Sequence, residues 1–186
     1  MVTFSGFKTP MNRGAVLFRS FRTQCSRSSS AIVLLIFASL TFAGNYVGSK
    51  KCRICHKGEK KGNIYEIWMK SKHHNAYETL KKAGEEKNPK CIECHTTGYN
   101  KGGFKLGDAN SKKFEGIGCE VCHGAGSDYK KNKIMKVQKE AIKKGLLMPT
   151  EKTCIQCHNK KSPNYKKFDF KKFYKKIEHF VPKKKK

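Results

Sequence analysis

Eight of the nine cysteines in this 186-residue chain stand in four copies of one five-residue pattern. The copies are Cys52-Arg-Ile-Cys55-His56, Cys91-Ile-Glu-Cys94-His95, Cys119-Glu-Val-Cys122-His123 and Cys154-Ile-Gln-Cys157-His158. Every Cys-x-x-Cys in the sequence is followed at once by histidine. This is the attachment sequence of a c-type haem. The two thiols add to the porphyrin vinyl groups, and the adjacent imidazole binds the iron from one face. The spacing is tight because both sulfurs must reach one porphyrin edge while the next side chain turns under the ring. Around the third copy, glycines at 116, 118, 124 and 126 let the backbone lie close to a flat ligand. The sequence thus predicts four covalently bound haem c groups. Cys52, Cys55, Cys91, Cys94, Cys119, Cys122, Cys154 and Cys157 are the tethers, and His56, His95, His123 and His158 the first iron ligands.

The motif histidines are 39, 28 and 35 residues apart. Segments this short cannot bury an ordinary apolar core of their own, so four porphyrins would form the core and the chain would wrap them. Strand signals are few, because Lys, Gly and Glu are plentiful and alternation of β-branched residues is scarce. The expected fold is mainly α with extensive loops, a multihaem cytochrome c fold with little or no β-sheet. Periodicity predicts a helix over 63–82, with Tyr65, Met69, His73, Ala76, Tyr77 and Leu80 on one face. A second helix is expected over 134–147, and a third after a cap at Asp169, with Phe170, Phe173, Tyr174 and Ile177 as its buried stripe. The loop holding Tyr99 and Phe104 could pack on a haem face.

Residues 1–43 read as a secretory signal peptide. Arg13, Arg19, Arg22 and Arg27 precede an apolar run of 13 residues, 31–43, which ends in small residues. A membrane span needs ~20 residues, so a retained anchor is the lesser alternative. Met11 is an alternative start, and Cys25 falls in the discarded part. Residues 44–186 then form one tetrahaem cytochrome c domain of the periplasm, where covalent haem attachment takes place in bacteria.

The leader carries five positive charges and no negative one, leaving +22 of the chain's +27 on residues 44–186. Arg53 is the one arginine there. Readers of nucleic acid use arginine's planar fork, so a nucleic-acid role is not expected. Eight haem propionates would lower the excess to about +14. A lysine surface suits solubility, steering toward redox proteins with acidic docking surfaces, or peripheral contact with anionic membrane.

Four irons offer eight axial positions, and the chain has seven histidines. At least one haem therefore lacks two histidine ligands. His73, on the apolar stripe, is the leading sixth ligand. His74 is turned toward Glu78 and Lys81, as a solvent residue or reserve. His179 lies off its helix's stripe and would reach an iron only if the chain unwinds there. Met135, Met148, Tyr129, a lysine or water could fill the remaining places, or a site could stay open.

The chain resembles the tetrahaem cytochrome c-554 family over nearly all of residues 46–182. The resemblance rests on Tyr46-Val47-Gly48, on Trp68 with Ser71-Lys72-His73, on Cys-x-x-Cys-His-x-x-Gly-Tyr at 91–99, on Gly-Cys-Glu-x-Cys-His-Gly-x-Gly at 118–126, and on His179 near Val181-Pro182. It implies a mostly helical fold around closely packed haem pairs and a periplasmic electron carrier, in nitrifiers the acceptor from hydroxylamine oxidoreductase. It implies that His73 and His179 are distal ligands, and that the haem on Cys91, Cys94 and His95 is five-coordinate. The family also has a distal histidine after the third motif. This chain has none between His123 and His158; Tyr129 and Met135 stand in that stretch. By analogy, the haem so affected is the first.

The leading functional reading is an electron carrier, not an enzyme, with no catalytic residue. One alternative is a haem enzyme acting on a small nitrogen compound at the open haem near His95, where Glu93 and Thr96 are the nearest acid–base candidates. Another is a zinc-binding structural module, in which two Cys-x-x-Cys pairs supply four thiolates to a metal, or a disulfide scaffold. Both leave the histidine after each second cysteine unexplained.

Overall fold

Each attachment motif is built around one turn of helix, because cysteines three apart then share a face. The computed structural model describes residues 44–180 and 182; the expected signal segment 1–43, Val181 and the lysines at 183–186 lie outside them. Helix α1, Ser49–His56, carries the first motif, α4, Pro89–His95, the second, and α5, Cys119–His123, the third. All three end on the motif histidine. In the fourth, α8 spans Glu151–Cys154, and the turn continues through His158, whose N–H donates to the Cys154 carbonyl at 2.9 Å. The other helices are α2 (Ile64–Lys70), α3 (Ala76–Ala83), α6 (Asn132–Met135), α7 (Gln138–Lys143) and α9 (Phe170–Tyr174), with 3-10 turns at Glu59–Lys61 and Ala109–Phe114.

The fold is helical, as expected. Among the described residues there is no strand, only an isolated antiparallel bridge between Thr96 and Glu115. None of these helices exceeds eight residues. Helices this short are marginal alone, so tertiary contacts hold them. Among the described residues no helix is long and apolar enough to cross a membrane.

The helix expected over 63–82 is broken. Ser71 is extended, and its Oγ donates to the Trp68 carbonyl at 2.7 Å, capturing an acceptor the helix would otherwise use. The His73 carbonyl accepts from the distant Ile117 N–H at 2.9 Å, and Trp68 Nε1 donates to the Ile117 carbonyl at 2.8 Å. Long-range bonds outcompete helical ones, and His73 and His74 sit in the break. The helix expected over 134–147 is likewise split into α6 and α7 and stops at Gly145, whose φ is +96°. The final helix keeps its cap, Asp169 accepting from the Lys172 N–H at 3.0 Å, but none of its expected stripe is fully buried and Phe173 is exposed. It ends at Tyr174, so His179 lies on unwound chain.

Buried apolar residues fall into two groups. Tyr77, Leu80, Ile92, Phe104 and Phe114 form a cluster around α3 and α4, flanked by Tyr46, Cys91 and Tyr99. Phe104 packs on Tyr77 at 5.1 Å and is 6.4 Å from Tyr99, so these aromatics serve a protein core. The expectation that porphyrins supply the whole interior is corrected to that extent. The other buried apolar residues, Tyr65, Ile117, Tyr129 and Ala141, all line one cavity.

The glycines of the third motif also differ from expectation. A Cβ on Gly116, whose φ is +77°, would collide with the His74 carbonyl, and one on Gly124, at +78°, would lie 2.8 Å from the Gly145 carbonyl. Backbone crowding requires glycine at both.

Candidate haem site

The cavity has a volume of about 520 Å³ and is walled by residues from both ends of the chain. Cys52 and His56 enter from the first motif, Cys119, Cys122 and His123 from the third, with His73 and His179 from outside the motifs. Tyr65, Trp68, Ile117 and Leu146 give it an apolar lining. This size lies within the roughly 300–1,000 Å³ common for cofactor pockets. A partly open, mostly apolar cavity with motif thiols and imidazoles on its wall fits a tethered porphyrin.

The imidazoles are oriented for metal binding. His95 Nδ1 donates to the Ala76 carbonyl at 2.7 Å, His123 Nδ1 to Leu147 at 3.0 Å and His179 Nδ1 to Ile177 at 2.9 Å. A proton held on Nδ1 leaves the Nε2 lone pair free for a metal. Burial holds His56, His73, His123 and His158 below the usual imidazole range, with neighbouring imidazoles adding to the effect at His56, His73 and His123. They are therefore neutral at neutral pH, as a ligating nitrogen must be.

Two pairs of imidazoles lie close together with their planes tilted by 50° and 61°. His73 and His158 have centroids 6.0 Å apart, and His123 and His179 are 5.9 Å apart. A metal–imidazole bond is about 2 Å long. Two such bonds plus the two ring radii would place centroids about 6 Å apart, so each pair is spaced as two imidazoles on one iron would be. His158 is further fixed by Phe168, stacked on it at 4.6 Å. Sequence reasoning missed Phe168, which carries no periodic signal.

The structure separates the remaining histidines. Among the described residues His95 is in no imidazole pair, and His56 lies near His123 and His179, which are paired with each other. His74, expected toward solvent, instead packs edge-on against Trp68 at 4.6 Å, and its buried Nδ1 has no partner. Among the candidate sixth ligands, Met135, Met148 and Tyr129 all line the cavity. The Tyr129 hydroxyl is committed, donating to the Gly124 carbonyl at 2.7 Å, and burial pushes its pKa well above the ordinary value.

The motifs are not neighbours in sequence order. The Cys52 thiol lies close enough to Cys119 to hold the Cys119 thiol below its ordinary range. Cys122 is close enough to Cys154 to feel its charge, and Cys157 lies beside Cys94. The spatial order of attachment points is therefore first, third, fourth, second. Among the described residues no three Cys, His, Asp or Glu side chains converge as a bare metal ion requires. The zinc reading thus gains no geometric support.

Glu120 was part of the third-motif pattern in the sequence, but its structural role was not read there. It is 1% exposed. Its carboxylate accepts from the N–H groups of Val47 at 2.9 Å, Gly48 at 2.7 Å and Gly126 at 2.7 Å. A buried charge satisfied by three backbone donors locks the entry of the described chain onto the third motif.

Residues 51–124 match the family model described as cytochrome c554 and c-prime. Cytochrome c-554 of Nitrosomonas europaea is 28% identical over 147 aligned residues, which cover 64% of this chain and 60% of that protein. The chain thus spans less than two thirds of that relative's length. No solved structure matches it. The model match and the identity make the stretch from the first motif to the third similar to cytochrome c-554, a c-type cytochrome.

Proposed function

We propose that the protein is a periplasmic tetrahaem cytochrome that passes electrons between redox partners. Its haems are tethered at Cys52/Cys55, Cys91/Cys94, Cys119/Cys122 and Cys154/Cys157, and ligated by His56, His95, His123 and His158. His73 is the sixth ligand opposite His158, and His179 the sixth ligand opposite His123. The observation that carries this reading is the pair of 5.9–6.0 Å imidazole gaps, each joining one motif histidine to one outside the motifs. The bound porphyrin supplies one-electron chemistry. The chain fixes its orientation through Nδ1 hydrogen bonds, excludes water with the apolar lining, and tunes potential through axial ligand and burial.

The spatial order of the attachment points makes the electron path run first–third–fourth–second. Its ends are the haems on His56 and His95, the two motif histidines outside the His73–His158 and His123–His179 pairs. Lysines on the surface steer the assembly toward acidic docking faces of redox proteins. Export by residues 1–43 places attachment in the right compartment.

Mass spectrometry of the secreted protein tests the count, which should be the chain plus four haems. Electron paramagnetic resonance of the oxidised protein tests the ligands. His73→Ala and His179→Ala should each convert one low-spin iron to high-spin while leaving four haems attached. An unchanged spectrum in both variants would sink the pairing.

A further inference from the structure

We propose that the thioether sulfur of Met135 is the sixth ligand of the iron held by His56, giving a histidine–methionine haem at one end of the path. This rests on the tetrahaem reading and deepens it.

The imidazoles near His56, those of His123 and His179, are paired with each other at 5.9 Å. Two of the three histidines outside the motifs stand opposite His123 and His158, and the third, His74, is packed against Trp68 outside the cavity. The donor must therefore come from the other residues of the cavity that His56 lines. Tyr129 is excluded by its hydroxyl's bond to Gly124 and by the cost of forming a buried phenolate. Lys136 would have to lose a proton from an exposed ammonium before it could bind. Two methionines remain, and methionine needs no deprotonation.

Geometry separates them. Helix α6 is docked on the first motif, with Asn132 Nδ2 3.9 Å from Cys55 Sγ. Met135 is three residues further along that helix, so it leaves the same face and enters the same cavity as His56. Its side chain is half-buried. Met148 is 53% exposed, its sulfur accepts from Gln138 Nε2 at 3.6 Å, and it adjoins Leu147, the carbonyl that holds His123. It belongs to the surroundings of the third motif.

A methionine ligand raises the potential relative to two histidines. The haem on His56 is then the highest of the hexacoordinate sites, and electrons arriving elsewhere settle there. The test uses the secreted holoprotein. Ferric wild type should show one sulfur-to-iron charge-transfer band in the near infrared, and a redox titration should show one haem well above the two bis-histidine ones. Met135→Leu should lose the band, gain one high-spin iron, and bind one more nitric oxide per chain when reduced, with four haems still present by mass. Met135→His should lose the band, stay low-spin and lower that haem's potential. Met148→Leu should keep the band. Four haems with no band in wild type, or a band that survives Met135→Leu, would overturn the assignment and leave the tetrahaem reading standing. A secreted chain with no haem would overturn both.

Discussion

The segment around the second motif and the segment shared by the first and third motifs solve the same problem differently. Around α3 and α4, protein side chains pack on one another: Ile92 is fully buried, and Tyr77, Leu80, Phe104 and Phe114 surround it. Around α1 and α5, buried apolar residues face an open volume of about 520 Å³ rather than each other. The first arrangement holds its shape with side chains; the second is completed by a ring. Covalent cofactors relieve a short chain of the need to fill its interior with residues, but only where the cofactor's face is the packing surface.

The strongest way to break this contrast is to remove a ring. Cys119→Ser with Cys122→Ser should abolish folded holoprotein. An unfilled cavity of this size costs on the order of 10 kcal/mol by mutational scaling, comparable to the whole stability of a domain. Haem mass and thermal unfolding read the outcome, and a stable three-haem protein would mean that the cavity closes without its ring. Next, Phe114→Ala should cost about 3–5 kcal/mol with all four haems retained, because its partners are side chains. Hydrogen exchange should show the loosening confined to α3, α4 and the Ala109–Phe114 turn.

Glu120→Gln sharpens the boundary between the two regions. It replaces an acceptor oxygen with an amide donor facing N–H groups of Val47, Gly48 or Gly126, and should cost about 3 kcal/mol in chemical unfolding. Because Tyr46 beside that anchor lies edge-on to Phe114 at 6.5 Å, the loss should spread to the side-chain cluster. The smallest effect is expected at Thr150→Ala. It removes one arm of the Thr150–Thr153 capping box before the fourth motif, for about 1 kcal/mol, and leaves the spectrum of the haems unchanged.

The motifs were fully legible in the sequence because attachment demands fixed spacing along one turn of chain. Helical content and the Asp169 cap were legible for the same local reason. Helix lengths were not. Ser71's bond to Trp68 and the His73–Ile117 bond cut the longest expected helix, and nothing local announces a partner 44 residues away. His179 was expected as a ligand from the resemblance and not from periodicity, and the chain leaves the helix after Tyr174 to bring it beside His123. His74 was misread because a continuous helix would have turned it outward, whereas the break lays it on Trp68.

Sequence alone set out the four Cys-x-x-Cys-His motifs and the spacing between them, since each is written in contiguous residues. It also set the limit that seven histidines cannot fill eight axial positions. Only the tertiary structure decided which ring lies beside which, His73 with His158 and His179 with His123, and set α6 against the first motif through Asn132. Those choices depend on approaches between segments tens of residues apart, fixed by backbone hydrogen bonds and packing that no local pattern encodes.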